Sequence, residues 1–203
     1  MKKPMISMTI NGTLYRFSVG DGFGQVSPSE TLVETLRERL QLTGAKLACG
    51  EGACGCCTVL LNGKPVTSCM LITVECDGMD IVTIEGLQTP GGDLDPLQQA
   101  FIDEYAFQCG YCTPGIIMAA KGLLLENPHP TSEEIGEGLS GNYCRCISHY
   151  TVLRAVNKIA GNTDDKAVMH RANDDVEDPI PVRQRIWLSP YANGFQVDAH
   201  ALD

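Results

Sequence analysis

The chain has 203 residues, 43% of them hydrophobic, and a formal net charge of −10 at pH 7. That is enough for one large domain or two small ones, and the acidic balance argues against nucleic acid or an anionic membrane surface as a partner, since both attract basic patches. No apolar run approaches the roughly 18 residues of a membrane span, because the longest candidate, residues 115–125, includes Lys121.

In chain order, residues 5–10 and 14–19 alternate as two strands around Asn11-Gly12, a strong hairpin signal. A Gly-rich loop covers residues 20–28. Ser29 then offers an N-cap for a helix whose apolar face carries Leu32, Val33, Leu36 and Leu40. Residues 49–57 form a tight glycine-containing loop. A second hairpin follows, residues 58–61 and 66–70 across Asn62-Gly63-Lys64, and residues 81–84 supply a last short strand. Hairpin, helix, loop, hairpin and strand in this order describe a β-grasp, ferredoxin-like domain over residues 1–88. Residues 89–93, Thr-Pro-Gly-Gly-Asp, punctuate the chain as a linker. Helical patterns then cover residues 95–107 and 114–126, a short segment opened by the capping box Thr131-Ser132-Glu133-Glu134, and residues 150–160. The fold class expected is α+β, with a small four-helix domain over residues 89–161. Residues 162–203 form an acidic stretch followed by prolines and Arg185-Ile186-Trp187-Leu188. They read as a tail or, given the only Trp, as an extended arm docking on a partner.

Eight of the ten cysteines fall into two groups of four. Cys49, Cys54, Cys57 and Cys69 have the C-x4-C-x2-C…C spacing of plant-type [2Fe–2S] ferredoxins. Such a cluster takes two thiolates per iron, and soft thiolates suit it. Gly50, Gly52 and Gly55 let the backbone wrap the cluster and turn N–H groups toward its sulfurs. Cys109, Cys112, Cys144 and Cys146 are less diagnostic, since C-x2-C with a distant C-x-C also fits structural zinc. Beside a plant-type site, a second [2Fe–2S] cluster is the better reading. Cys56 misses the ligand register and reads as a small filler thiol, and Cys76 as a small hydrophobe in or beside a strand. Adjacent Cys56 and Cys57, and an N-terminus without an apolar stretch or cleavage site, oppose a secreted disulfide framework. The expected compartment is cytoplasmic, or periplasmic where a partner subunit carries the export signal. His149 follows the last ligand closely and reads as a packing residue rather than a ligand. No Ser/His/Asp constellation or phosphate-binding motif is present.

With the segments CGEGACGCCTVLLNGKPVTSC, VTIEGL, QCGYCTPGIIM, NPHPTSEEI and GNYCRC in view, the chain resembles the small iron–sulfur subunit of molybdenum hydroxylases, the xanthine dehydrogenase family, over about residues 5–160. The resemblance implies a heteromeric oxidoreductase in which this chain performs no substrate chemistry. A distal cluster would sit on Cys49, Cys54, Cys57 and Cys69. A proximal cluster would sit on Cys109, Cys112, Cys144 and Cys146, beside a molybdopterin held by a large subunit and contacted by Gln108 and Cys146. Electrons would pass from molybdenum through both clusters to FAD or another acceptor on a further subunit. Three departures stand out: a longer loop at residues 20–27, Ile147-Ser148-His149 after the last ligand, and the tail. The rival reading is a free-standing two-cluster ferredoxin-like carrier. A subunit should expose an apolar face around Gln108 and Cys146, which a carrier stable alone should lack.

Overall fold

The computed structural model describes residues 4–89 and 91–162. Strands β1 (Met5–Ile10) and β2 (Thr13–Ser18) pair antiparallel across Asn11 and Gly12, whose φ values of 49° and 76° give the left-handed turn that Asn-Gly favours. Alternation turns Ile6, Met8 and Ile10 inward. Strands β3 (Thr58–Leu61) and β4 (Lys64–Thr67) form the second hairpin, and β5 (Asp80–Val82) completes a five-stranded sheet in the order β2-β1-β5-β3-β4. The central strand β5 runs parallel to β1 and antiparallel to β3.

Both later strands are shorter than the sequence suggests. Ser68 turns its hydroxyl (2.7 Å) and its N–H (3.3 Å) onto the Cys57 carbonyl, and residues 68–70 become a 3₁₀ turn. After β5, Ile84–Leu87 likewise forms a 3₁₀ turn. Cys76 closes another 3₁₀ turn and is buried.

The first helix begins two residues later than expected. Thr31, not Ser29, is its N-cap: the Thr31 N–H donates to the Glu34 carboxylate at 2.8 Å, while the Ser29 hydroxyl lies 3.2 Å from that of Ser27. Helix α1 (Leu32–Glu34) widens into a π-turn over Thr35–Arg39, with Leu32, Val33 and Leu36 fully buried against the sheet. The preceding loop is ordered by its own bonds. The Gln25 side chain accepts the Gly22 N–H at 2.9 Å, and Arg39, paired with Glu30 at 2.6 Å, donates to the Gln25 carbonyl at 2.6 Å. Phe23 at its tip is wholly exposed.

Helices α2 (Pro96–Asp103), α3 (Thr113–Glu126), α4 (Ser132–Gly138) and α5 (His149–Ala160) follow. Asp95 caps α2 by accepting the Leu97 N–H at 2.9 Å, and Thr131 with Glu134 forms the expected capping box of α4. Helix α2 ends short of residue 107; Tyr105 just beyond it has φ 52°. Their apolar faces form a second core holding Phe101, Ile116, Ile135 and Val156, and it includes Cys56. The described residues belong to one compact unit in which α3 lies on β3 and β4. Gly122 permits that approach: a Cβ there would stand 2.6 Å from Pro65. Among the described residues no helix is long and apolar enough to cross a membrane. The expected arm lies, beyond Asn162, outside the described residues.

Candidate metal centres

The loop carrying Cys49, Cys54 and Cys57 joins the end of the first helical segment to β3, and Cys69 arrives from the 3₁₀ turn after β4. Gly50, Gly52 and Gly55 have φ of 73°, 75° and 69°, the left-handed region that glycine enters without penalty. Met70 covers Gly52, where a Cβ would stand 2.8 Å from its Cγ. Among the four sulfurs Cys49 meets Cys54 and Cys57 meets Cys69, and Cys54 also meets the Cys56 thiol. The Glu51 N–H points at the Cys49 sulfur (3.5 Å) and, with the Cys54 thiol, lowers the Cys49 pKa to about 6. Burial first, and the Cys57 thiol second, push Cys69 up to about 11.

The second group is built at two helix approaches. Cys112 is the residue immediately before α3, and Cys144 and Cys146 precede α5, whose N-cap is Ser148. The Cys109 and Cys146 sulfurs are 3.7 Å apart, and Cys144 interacts with both Cys112 and Cys146. Burial foremost, then the Cys144 thiol, raises Cys112 to about 12. Burial alone would raise Cys144 as well, yet the Ile147 N–H, the Cys112 thiol and the Cys146 N–H together lower it; both N–H groups lie 3.4 Å from its sulfur. Among the described residues no group of three or more His, Cys, Asp or Glu side chains is gathered for a single metal ion. The soft donor set with N–H groups aimed at sulfur fits a [2Fe–2S] group.

Gln108, Cys109 and Cys146 are exposed, and so are Phe107, Tyr111 and Tyr143 around them. His149 is exposed at the start of α5 and, with Ile147, lines an apolar recess beside Cys144. The departure Ile147-Ser148-His149 therefore has a local role, since the Ser148 hydroxyl accepts the Tyr150 N–H at 3.3 Å and caps the helix.

The two groups are joined by residues the ligand pattern does not name. Tyr143 donates its N–H to the Cys54 carbonyl (3.0 Å), Asn142 Nδ2 donates to the Gly55 carbonyl (3.0 Å), and Tyr111 Oη donates to the Leu47 carbonyl (3.0 Å). Gly115 in α3 packs directly on the backbone of Gly55 and Cys56. The only sequence signal for these four was their place inside QCGYCTPG and GNYCRC. Cys56 itself is buried, with burial raising its pKa to about 12, as befits a filler thiol.

Comparison with known proteins bears on both groups. Residues 20–79 match the 2Fe-2S iron-sulfur cluster binding domain family, and residues 83–157 match the [2Fe-2S] binding domain family. The chain is 43% identical over 159 residues to a probable xanthine dehydrogenase subunit of Bacillus subtilis, covering 78% of this chain and 87% of that one. It is 46% identical over 141 residues to the nicotine 6-hydroxylase small subunit of Paenarthrobacter nicotinovorans, covering 70% and 84%. Among solved structures, quinoline 2-oxidoreductase from Pseudomonas putida 86 superposes with a TM-score of 0.71 at 38% identity, covering 82% of this chain and 98% of the matched one. With both iron–sulfur domains matched in order and relatives aligned over most of their length, the chain belongs to the small iron–sulfur subunits of xanthine dehydrogenase and related molybdenum hydroxylases.

Proposed function

We propose that this electron-transfer subunit carries two [2Fe–2S] clusters, the distal one on Cys49, Cys54, Cys57 and Cys69 and the proximal one on Cys109, Cys112, Cys144 and Cys146. The observation that carries the reading is that every one of the eight sulfurs meets another of its own group of four, in two groups whose loops are hydrogen-bonded to each other. A bound cluster supplies one-electron storage at the potential its surroundings set. The chain's own residues hold the thiolates, turn N–H groups toward them and exclude water from Cys57, Cys69 and Cys112, all buried.

The partner on the proximal side is a large molybdopterin-bearing subunit, with Gln108 and Cys146 contacting the pterin. The exposed Phe107, Tyr111 and Tyr143 around those residues support that face, which a free-standing carrier would not need. On the distal side the acceptor is an FAD-bearing subunit or another acceptor. Domain boundaries near residues 88 and 161 are supported by the two family matches and the two apolar cores. The whole assembly is soluble and cytoplasmic, unless a partner's export signal takes it to the periplasm.

The test is iron, acid-labile sulfide and zinc per chain on anaerobically purified protein, with molybdenum measured in the co-purifying complex. The expected result is the iron and sulfide of two [2Fe–2S] clusters. Half that amount with one zinc would remove Cys109, Cys112, Cys144 and Cys146 from the wire. For the pterin contact, Gln108→Ala should leave the iron intact while slowing electron delivery or weakening pterin retention. Normal turnover with full pterin content would remove Gln108 from the site.

A further inference from the structure

Adjacent residues in one ligand loop bind adjacent residues in the other. Tyr143, next to Cys144, places its N–H on the carbonyl of Cys54; Asn142 places its side-chain amide on the carbonyl of Gly55, each at 3.0 Å. One rung is backbone and cannot be chosen by sequence, whereas the other depends on a side chain. Asn142 is only 9% exposed, so its amide must be satisfied where it sits. Gly55 is the residue that admits it: a Cβ there would strike the Asn142 amide and stand 2.6 Å from the Gly141 carbonyl. The Gly55 carbonyl also accepts the Thr58 N–H (3.2 Å) and hydroxyl (2.7 Å), so Asn142 grips an already rigid group.

We propose that Asn142 is a positioning residue for electron passage between the two centres. Its amide anchors residues 142–143 to the 54–55 carbonyls and thereby keeps the Tyr143 N–H on the Cys54 carbonyl. That hydrogen bond connects a ligand of the distal group to the neighbour of a ligand of the proximal group. Tunnelling through a hydrogen bond is faster than across the contact gap that replaces it when the rung opens. The step moves one electron out of the proximal site and one into the distal site; no bond forms or breaks and no proton moves. The inference rests on the assignment of a cluster to each cysteine group.

The test uses the whole complex carrying Asn142→Asp, which keeps the shape but sets an acceptor against the Gly55 carbonyl. Asn142→Ala serves as a second variant, and Thr58→Val removes a different donor from the same carbonyl. The readouts are iron and sulfide content, the mutual splitting of the two cluster signals in the electron paramagnetic resonance spectrum after dithionite reduction, and the proximal-to-distal transfer rate after flash reduction. The expected result is full iron in all variants, altered splitting and a severalfold slower transfer in both Asn142 variants, and wild-type splitting and rate in Thr58→Val. Wild-type splitting and rate in the Asn142 variants would overturn the proposal. So would equal changes in Thr58→Val, which would mean general loosening of the loop, or loss of iron from both Asn142 variants, which would mean a purely structural role. A wild-type chain without the iron of two clusters would instead overturn the functional reading beneath it.

Discussion

Gly115→Ala isolates the contact between the helical core and the first cysteine loop. Gly115 lies in the first turn of α3, and a Cβ there would collide with the Gly55 carbonyl and stand 3.0 Å from the carbonyl carbon and Cα of Cys56. All three are backbone atoms, and that backbone is held by Thr58, Asn142 and Lys46, whose N–H donates to the Cys56 carbonyl at 3.1 Å. Nothing flexible can yield, so the cost falls in the range for overpacking a filled site, about 1–3 kcal/mol. Replacing a helical glycine by alanine gains up to about 1 kcal/mol, which offsets part of it. Gly136 in α4 is the control, because nothing lies within 4 Å of a Cβ built there. Gly136→Ala should therefore stabilise by roughly 0.5–1 kcal/mol. Urea unfolding of the cluster-loaded chain, followed by both circular dichroism and the visible absorbance of the iron–sulfur chromophore, measures the pair. The expected result is a lower midpoint for Gly115→Ala, with earlier loss of the chromophore, and a higher midpoint for Gly136→Ala. Equal, raised midpoints for the two variants would refute the close packing of α3 on the ligand loop.

Three further outcomes can be checked directly. Cys56→Ala should keep the full iron complement, because Cys56, although its thiol meets that of Cys54, is not among the eight proposed ligands and fills the core; measured iron below that of the wild type would make it a ligand. Thr131→Ala should lower stability by about 1 kcal/mol in thermal or urea unfolding, since it removes the hydroxyl that accepts the Glu134 N–H at the cap of α4. The Arg39 guanidinium, chiefly by hydrogen bonding, holds the Glu30 carboxyl below its ordinary value. A carboxyl depressed on folding contributes stability that is present above its ordinary value of 4.5 and lost as pH falls through the lower folded one. Glu30→Gln should thus flatten the acid limb of the stability curve and speed hydrogen exchange at the Gly20 and Val26 amides; an unchanged acid limb would show the pair to be inert.

The elements that were legible in the sequence are those fixed by local chemistry. Asn11-Gly12 can hardly be anything but a left-handed turn, and the Thr131–Glu134 box announces α4 because both halves of the cap lie within four residues. The two groups of four cysteines stand out in the sequence because the spacing within C-x4-C-x2-C, C-x2-C and C-x-C is local. What escaped depends on tertiary contact. Ser29 and Thr31 are both acceptable caps, and Thr31 serves because Leu32 donates to the Leu71 carbonyl at 2.8 Å, a bond 39 residues away that no window contains. Residues 68–70 have strand composition, yet Ser68 abandons the ladder for the Cys57 carbonyl. Asn142 and Tyr111 looked like spacers between cysteines until the two loops stood side by side.

The thiol environments tie metal loading to pH. In the folded chain without iron, Cys69 and Cys112 are pushed up to about 11 and about 12, in both cases first by burial. A thiol raised on folding stabilises the folded chain fully below its ordinary value of 9.0, and that contribution is lost as pH climbs from there through the raised value. Iron-free chain should therefore lose stability progressively between about pH 9 and pH 12. With clusters bound on the proposed ligands, Cys69 and Cys112 would be thiolates held by iron with no proton to lose, so the loaded chain should show a shallower alkaline limb, left to the buried thiols of Cys56 and Cys76, which burial also pushes up. Loading must also expel the protons of Cys69 and Cys112, so reconstitution with ferrous iron and sulfide should release acid and grow more favourable as pH rises from 7 to 9. Melting curves of chelator-stripped and loaded chain across that range, with proton release followed by an indicator dye, test both statements. Parallel alkaline limbs and pH-independent loading would mean that the two cysteines are already ionised in the folded iron-free chain, contrary to their burial beside Cys57 and Cys144.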